Sequence, residues 1–363
     1  MKKKGIDSRS DKSATPRKFD RIEESPEWVK NLSRYDNPNL VLAIEQLVGT
    51  FIPYFLLLSL MLVTIRLGVS YWAILGLAVF AVPFYIRIFI FFHDCGHGSF
   101  FRNRRANTVL AYLFGILTFT PFEQWRHDHA LHHANVANLD RRGPGSVRIM
   151  TVDEYLGASL PQRIKYRLYR DPFIMFGLGF FYTFIIQFRF PHLKDILKRQ
   201  LSVYFTDIAI AAIVVTAWYT IGIREYLLIQ MPIALIGGTF GVWIFYIQHN
   251  FPGTYYARQK QWDHLTASLR GASYYKLPPV LQWATGNIGF HHVHHVRPRI
   301  PNYNLPKCYA ETRELHVGGL TLRRSLDALF LSLWDEDKNK LVSFRDIKEL
   351  KSKRAVGSAS YKP

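Results

Sequence analysis

Apolar residues along this 363-residue chain gather into long runs separated by short polar breaks. The first run covers 47–67 (LVGTFIPYFLLLSLMLVTIRL) and the second 69–92 (VSYWAILGLAVFAVPFYIRIFIFF), with Gly68 between them. Each is long enough to cross a hydrocarbon core of ~30 Å as a helix. A second pair follows at 203–222 and 226–247, joined by the short turn Ile223-Arg224-Glu225. The pattern predicts an all-α integral membrane protein, with four transmembrane helices in two hairpins. Pro53 and Pro83 are tolerated inside membrane helices, and Arg87 is expected to snorkel from near a helix end to the interface. Gly237, Gly238 and Gly241 either permit close helix packing or are ordinary membrane-helix composition.

Two further apolar stretches, 106–122 and 172–190, are near the lower length limit for a span. Topology decides between the alternatives. With a basic N-terminus in the cytoplasm, two spans return the chain inside at His93, and the second hairpin returns it inside at His249. If 106–122 crossed, His129 would lie on the opposite side from His93. Both stretches therefore read as interfacial or re-entrant helices, and the segments between hairpins form a cytoplasmic helical cap. One membrane unit is expected over 41–350, with a disordered basic tail over 1–40 and a frayed tail over 351–363. An amphipathic helix is expected near 320–334.

Composition agrees with this picture. Half the residues are hydrophobic and the net charge is +19. The basic residues lie between the apolar runs and form no stripe or DNA-binding motif, so nucleic acid is not expected as a partner. They fit topology-setting loops and an anionic membrane surface. Two cysteines, Cys95 and Cys308, provide no disulfide framework or zinc CxxC pair.

The chemistry lies in the histidines. His93 and His97 are spaced i, i+4. His129, His132 and His133 are spaced i, i+3, i+4, as are His291, His294 and His295. On a helix such positions share a face, so each group is expected to aim its rings at a common point. Imidazole is a good ligand for iron, zinc and copper. Eight imidazoles exceed the needs of one ion and fit two, and His249, at the cytoplasmic end of the fourth span, makes nine. Metal-bound imidazoles commonly donate their other N–H to an acceptor. Asp94, Asp128 and Asp140 are candidates for that role, or plain surface carboxylates. His127 and His292 fall on the wrong face by spacing and are read as neighbours of the site or solvent-facing. His192, His264 and His316 are read as surface residues. Trp125, Trp283 and Phe100 are candidates to line a channel or to anchor at the interface.

The ordered set HxxxH, HxxHH, HxxHH with four spans resembles the membrane fatty acid desaturases. The resemblance extends to RIFIFFHDCGHGSFF, QWRHDHALHHANVANLDRRG, YRLYRDPFIMF, GVWIFYIQHNF, YYKLPPVLQWATGNIGFHHVHH, PNYNLP and LWDEDKNKLVSFR. It covers about residues 40 to 350 and is greatest toward the bacillar phospholipid Δ5 desaturases. It implies two iron ions held by His93, His97, His129, His132, His133, His249, His291, His294 and His295. It also implies O2 and two electrons as co-reactants and a cis double bond, at Δ5, in acyl chains of membrane phospholipids. The protein would be integral to the cytoplasmic membrane, with its active site on the cytoplasmic side. No HPGG cytochrome b5-like motif occurs, so a separate donor is expected, ferredoxin or flavodoxin. In some acyl-CoA desaturases an Asn one turn before the isolated His reaches a metal through water. Phe245 stands at that position here, and Asn287, one turn before His291, is either a substitute or, by the reading the residue type favours, a helix cap or backbone partner. The alternatives are a related di-iron hydroxylase or ketolase and, from another class, a metal-binding membrane transporter. Transporters place polar ligands near the bilayer midplane, whereas these histidines lie at span ends and in the loops.

Overall fold

A computed structural model describes residues 25–347. The expectations for residues 1–24 and 351–363 lie outside the described residues. The chain is mostly helical: α1 (Glu27–Asn31), α2 (Leu40–Arg66), α3 (Tyr71–His97), α4 (Arg104–Leu117), α5 (Phe122–Ala134), α6 (Val152–Gly157), α7 (Leu160–Tyr169), α8 (Leu197–Thr220), α9 (Ile223–His249), α10 (His264–Arg270), α11 (Pro279–Ala284), α12 (His291–Val296), α13 (Leu305–Glu311) and α14 (Leu322–Ser325).

Four helices, α2, α3, α8 and α9, are long and apolar enough to cross a membrane. They form the two expected hairpins and extend beyond the apolar runs. The side chain of Asn39 accepts from the backbone N–H of Val41 and Leu42, starting α2 well before residue 47. α3 continues past residue 92 to His97, where Gly98 adopts φ 68° and closes the helix. His93, His97 and His249 are thus part of the helices rather than of the loops that follow them. α3 and α9 run in the same direction, so their histidine-bearing ends lie on one side.

Arg87 departs from expectation. It is buried, donates to Thr50 Oγ1 (2.9 Å) and to the carbonyl of Trp283 (2.5 Å), and stacks on the Trp283 ring. Inside α3, a carbonyl, a hydroxyl and a π-face stand in for water, and α11 is fastened to the bundle. α4 is a short amphipathic helix packed on α3. The stretch 172–190 forms a helical segment, Ile174–Arg189, bent by 64° from α7.

Five short strands hold the cap together. β1 (Met150–Thr151) runs parallel to β4 (Leu333–Asp335), and β4 pairs antiparallel with β5 (Lys340–Val342). β2 (Tyr274–Lys276) pairs parallel with β3 (Gly319–Thr321). The expected helix over 320–334 is therefore broken: Leu320 and Trp334 are strand residues, with only α14 and a 3-10 turn between them. Arg170 ties the layers, donating through Nη2 to Asn250 Oδ1 (2.7 Å) and to the carbonyl of Leu331 (2.7 Å).

The basic tail is also ordered over part of its expected range. Trp28, Leu32 and Tyr35 are spaced i, i+4, i+7 and pack against Phe290, Val293 and Leu305. Arg297 pairs with Asp36 at 2.6 Å. Burial of that apolar stripe orders a segment whose overall polarity suggested none.

Candidate metal centre

Two helix ends and two short cap helices converge. The final turns of α3 bring His93 and His97, the end of α9 brings His249, α5 brings His129, His132 and His133, and α12 brings His291, His294 and His295. All but His97 are buried.

The nine rings form two groups. His93, His97, His129, His133 and His294 make one, and His132, His249, His291 and His295 the other. Within each group, one ring nitrogen from every residue lies within 4.8 Å of all the others. This corrects the expectation that each box serves a common point. In both HxxHH helices the i, i+4 pair joins one group and the i+3 residue joins the other. At ~100° per residue, positions i and i+4 differ by about 40°, while i+3 sits about 100° from i+4. The assignment is reciprocal: α5 gives its pair to the five-histidine group and α12 gives its pair to the four-histidine group.

Nitrogens meet at close range. His129 Nε2 is 3.0 Å from His97 Nε2 and 3.1 Å from His133 Nε2, and His294 Nε2 is 3.0 Å from His133 Nε2. In the other group, His291 Nε2 is 3.0 Å from both His249 Nε2 and His295 Nε2. A neutral imidazole has one N–H, so a single proton cannot satisfy such branching contacts. Two imidazoles bound at ~2.1 Å and at right angles would have nitrogens about 3.0 Å apart. Burial, reinforced by neighbouring imidazoles, pushes His129, His132, His133, His291, His294 and His295 well below the usual imidazole value. They are therefore held neutral, the form that binds metal. The donor set fits a metal ion in each group.

The residues expected beside the rings differ in what they reach. His93 Nδ1 faces Asp94 Oδ1 at 3.2 Å, and the other oxygen of Asp94 accepts from the backbone N–H (2.7 Å) and Nδ2 (2.9 Å) of Asn302. Asp128 shows no hydrogen bond to an imidazole among the described residues. It lines a cavity, and burial pushes its carboxyl up to about 6. Asp140 does not support a ring either: it accepts from Arg258 Nη1 (2.9 Å) and from the backbone N–H of Gln259 (2.8 Å). Asn287 is a turn residue with φ 60°, and its Nδ2 donates to the carbonyl of Asn302 (3.1 Å). It is linked to the site through Asn302 and Asp94. Phe245 lies beside the four-histidine group, its ring 5.7 Å from that of His132.

Two supports had no sequence signal: the Ser146 hydroxyl, 2.8 Å from His132 Nδ1, and the carbonyl of Gly271, which accepts from His249 Nδ1 (2.9 Å). Both lie in loops whose path depends on the tertiary fold. His292 is buried rather than solvent-facing: its Nε2 donates to the carbonyl of Leu315 (2.9 Å), fixing α12. His264 is partly buried and donates to the carbonyl of His133 (3.2 Å). His127 is partly buried, while His192 and His316 are exposed.

An apolar cavity of about 590 Å³ reaches the groups at His93, His129 and His291. Its walls are α3, α9 and the bent segment Ile174–Arg189. Trp125 lines it and stacks on His129 at 4.4 Å. Trp283 and Phe100 do not line it: Trp283 packs on Phe84 and Arg87, and Phe100 on Phe91. A second, more polar cavity of about 350 Å³ touches His132 and His249, and it shares Ser146 and Val147 with the apolar one.

Residues 70–324 match the family model of the fatty acid desaturases. The chain is 45% identical to a fatty acid desaturase of Bacillus subtilis, over 88% of this chain and 91% of the relative. It is 25% identical to the sn-1 oleoyl-lipid 12-desaturase of Anabaena variabilis, over 70% of this chain and 75% of that one. It is also 26% identical to the chloroplastic sn-2 acyl-lipid omega-3 desaturase (ferredoxin) of Arabidopsis thaliana, over 65% and 52%.

Proposed function

The chain belongs to the fatty acid desaturase family, and on that premise we propose that it introduces a cis double bond at carbon 5 of saturated acyl chains in membrane phospholipids. The overall change is CH2–CH2 + O2 + 2e⁻ + 2H⁺ → CH=CH + 2H2O. The observation that carries this reading is the meeting of an apolar cavity with two convergent imidazole groups at the ends of membrane helices.

Under this reading His93, His97, His129, His133 and His294 hold one iron, and His132, His249, His291 and His295 hold the other. Bound iron would supply the redox chemistry with O2 that cleaves unactivated C–H bonds; zinc, which has no redox chemistry, would not. The protein's own residues bind and orient. The walls of α3 and α9 take up a methylene chain and exclude water from it. Trp125, stacked on His129, holds that ring at the cavity wall. Ser146, Gly271 and Asp94 fix the orientation of His132, His249 and His93.

The acyl-lipid substrate is supported by the names of the Anabaena and Arabidopsis relatives. Carbon 5 rests on the sequence phrases shared with bacillar enzymes. A separate ferredoxin or flavodoxin would deliver electrons, which agrees with the donor named for the Arabidopsis relative and with a basic surface suited to an acidic carrier. The site would face the cytoplasm of a cytoplasmic membrane, since the segments carrying the boxes are rich in Lys and Arg.

The test is expression in bacteria with iron and a competent donor, followed by mass spectrometry of derivatised fatty acids. Products two mass units lighter, with the bond at carbon 5 of phospholipid palmitate, support the reading. A product that gains oxygen indicates a hydroxylase instead, and an unchanged profile counts against both.

A further inference from the structure

The apolar cavity continues away from the histidines along one face each of α3 and α9. On α9, His249, Phe245, Gly241 and Gly237 recur every four residues and so share a face; the last three line the cavity. On α3, His93, Phe89 and Tyr85 recur in the same way and all three line it. Each wall thus begins at a histidine of the metal centre and runs into the membrane.

The walls close at the far end. A Cβ at Gly237 would stand 2.7 Å from the Tyr85 ring, and one at Gly238 would overlap the Phe180 ring. Tyr85 is 4% exposed, and its hydroxyl has no hydrogen-bond partner among the described residues. Gly241 differs from its neighbours: it lines the cavity, yet a Cβ there would meet nothing within 4 Å. It borders open space.

We infer that this part of the cavity measures the methyl side of the acyl chain, with Tyr85 and Phe180 as its floor and Gly241 keeping its middle clear. This rests on the reading of the cavity as the acyl site. A lipid headgroup has no place in such an apolar space, so the methyl end is the end that enters. Tyr85 precedes His93 by eight residues, or ~12 Å of helix, and Gly237 precedes His249 by twelve, or ~18 Å. A zig-zag chain of ~1.5 Å bonds advances about 1.25 Å per carbon, so the space takes roughly ten to fourteen carbons. A bond at carbon 5 of a 16- or 18-carbon chain leaves about ten to twelve carbons on that side, whereas a bond at carbon 12 of an 18-carbon chain leaves about five. The depth therefore suits a double bond near the carboxyl end.

The experiment uses the full chain with its donor, in cells supplied with saturated fatty acids of different lengths. Chain length and bond position of the products are read together with iron content. Gly241→Leu is expected to shift products toward shorter chains, roughly tenfold per two carbons, or to move the bond toward the methyl end. Tyr85→Ala is expected to shift them the opposite way. Gly76→Leu, at an exposed site on α3 with open space around it, should leave the profile unchanged. If Gly241→Leu does not fold, Gly241→Val, whose side chain reaches beyond the Cβ position into the open space, is read on the same scale. Iron-loaded Gly241→Leu and Tyr85→Ala proteins that keep the parental profile overturn the inference, as does a Gly76→Leu profile that shifts as theirs do. The parental bond position tests the carbon-5 reading separately, because the variants are compared only with their parent.

Discussion

The imidazole rings of His133 and His295 stack 4.1 Å apart, with their planes 21° from parallel. His133 belongs to the five-histidine group and His295 to the four-histidine group, so this contact joins the two candidate metal sites. If both groups hold a metal, removing either ring deletes one ligand and also leaves a ring of the other group without its stacking partner. His133→Ala and His295→Ala are each expected to lower iron below two per chain and desaturation by at least ~100-fold. Metal analysis and product assay on the same preparation check this; a variant with full iron and turnover would remove that residue from the site.

Ser146 and Asp140 make a paired prediction. The Ser146 hydroxyl contacts His132 Nδ1, whereas the Asp140 carboxylate accepts from Arg258 and from the backbone N–H of Gln259 and, among the described residues, hydrogen-bonds no imidazole. Ser146→Ala should weaken iron retention or activity by about 10- to 100-fold, because His132 loses the group that orients it. Asp140→Asn should leave both unchanged. Equal effects at the two positions would mean that sequence proximity to the boxes, rather than the hydrogen bond, is what matters.

The buried histidines set a direction for pH dependence. Burial pushes His292 down to about 4 from the usual 6.5. The unfolded chain therefore binds a proton at a pH where the folded chain does not. The associated stability is fully present above about pH 6.5 and drains as pH falls toward 4, reaching about 3 kcal/mol for this group. His129, His132, His133, His291, His294 and His295 are shifted in the same direction. Thermal unfolding of metal-free protein in detergent should show Tm falling steadily below about pH 6.5. A midpoint that is level down to about pH 4.5 would contradict neutral burial of these rings.

The helical architecture and the four long apolar helices were legible in the sequence because hydrophobic runs of that length have few other solutions. That nine histidines gather at one place was legible by spacing and topology. Their division was not: i, i+3 and i+4 look like one face in a sequence, but the 100° between i+3 and i+4 matters when two points lie close together. Arg87 was misread because its partners, Thr50 and the Trp283 carbonyl, are far away in the chain. Asp140 departs for the opposite reason, since nearness in sequence to a box does not bring it near a ring, whereas Asn287 takes the backbone-partner alternative, donating to the Asn302 carbonyl. Ser146 and Gly271 act from loops, where spacing carries no information. The Trp28, Leu32, Tyr35 stripe was present in the sequence but was outweighed by the polarity of the residues around it.

The central claim is that nine imidazoles hold two irons in groups of five and four. Metal analysis with X-ray absorption on the purified full chain tests it most directly, using His249→Ala as the comparison. The account predicts two irons per chain with a nitrogen-dominated ligand shell, and for His249→Ala a loss of iron from the four-histidine group together with loss of desaturation. Two irons, unchanged spectra and full turnover in His249→Ala would contradict it.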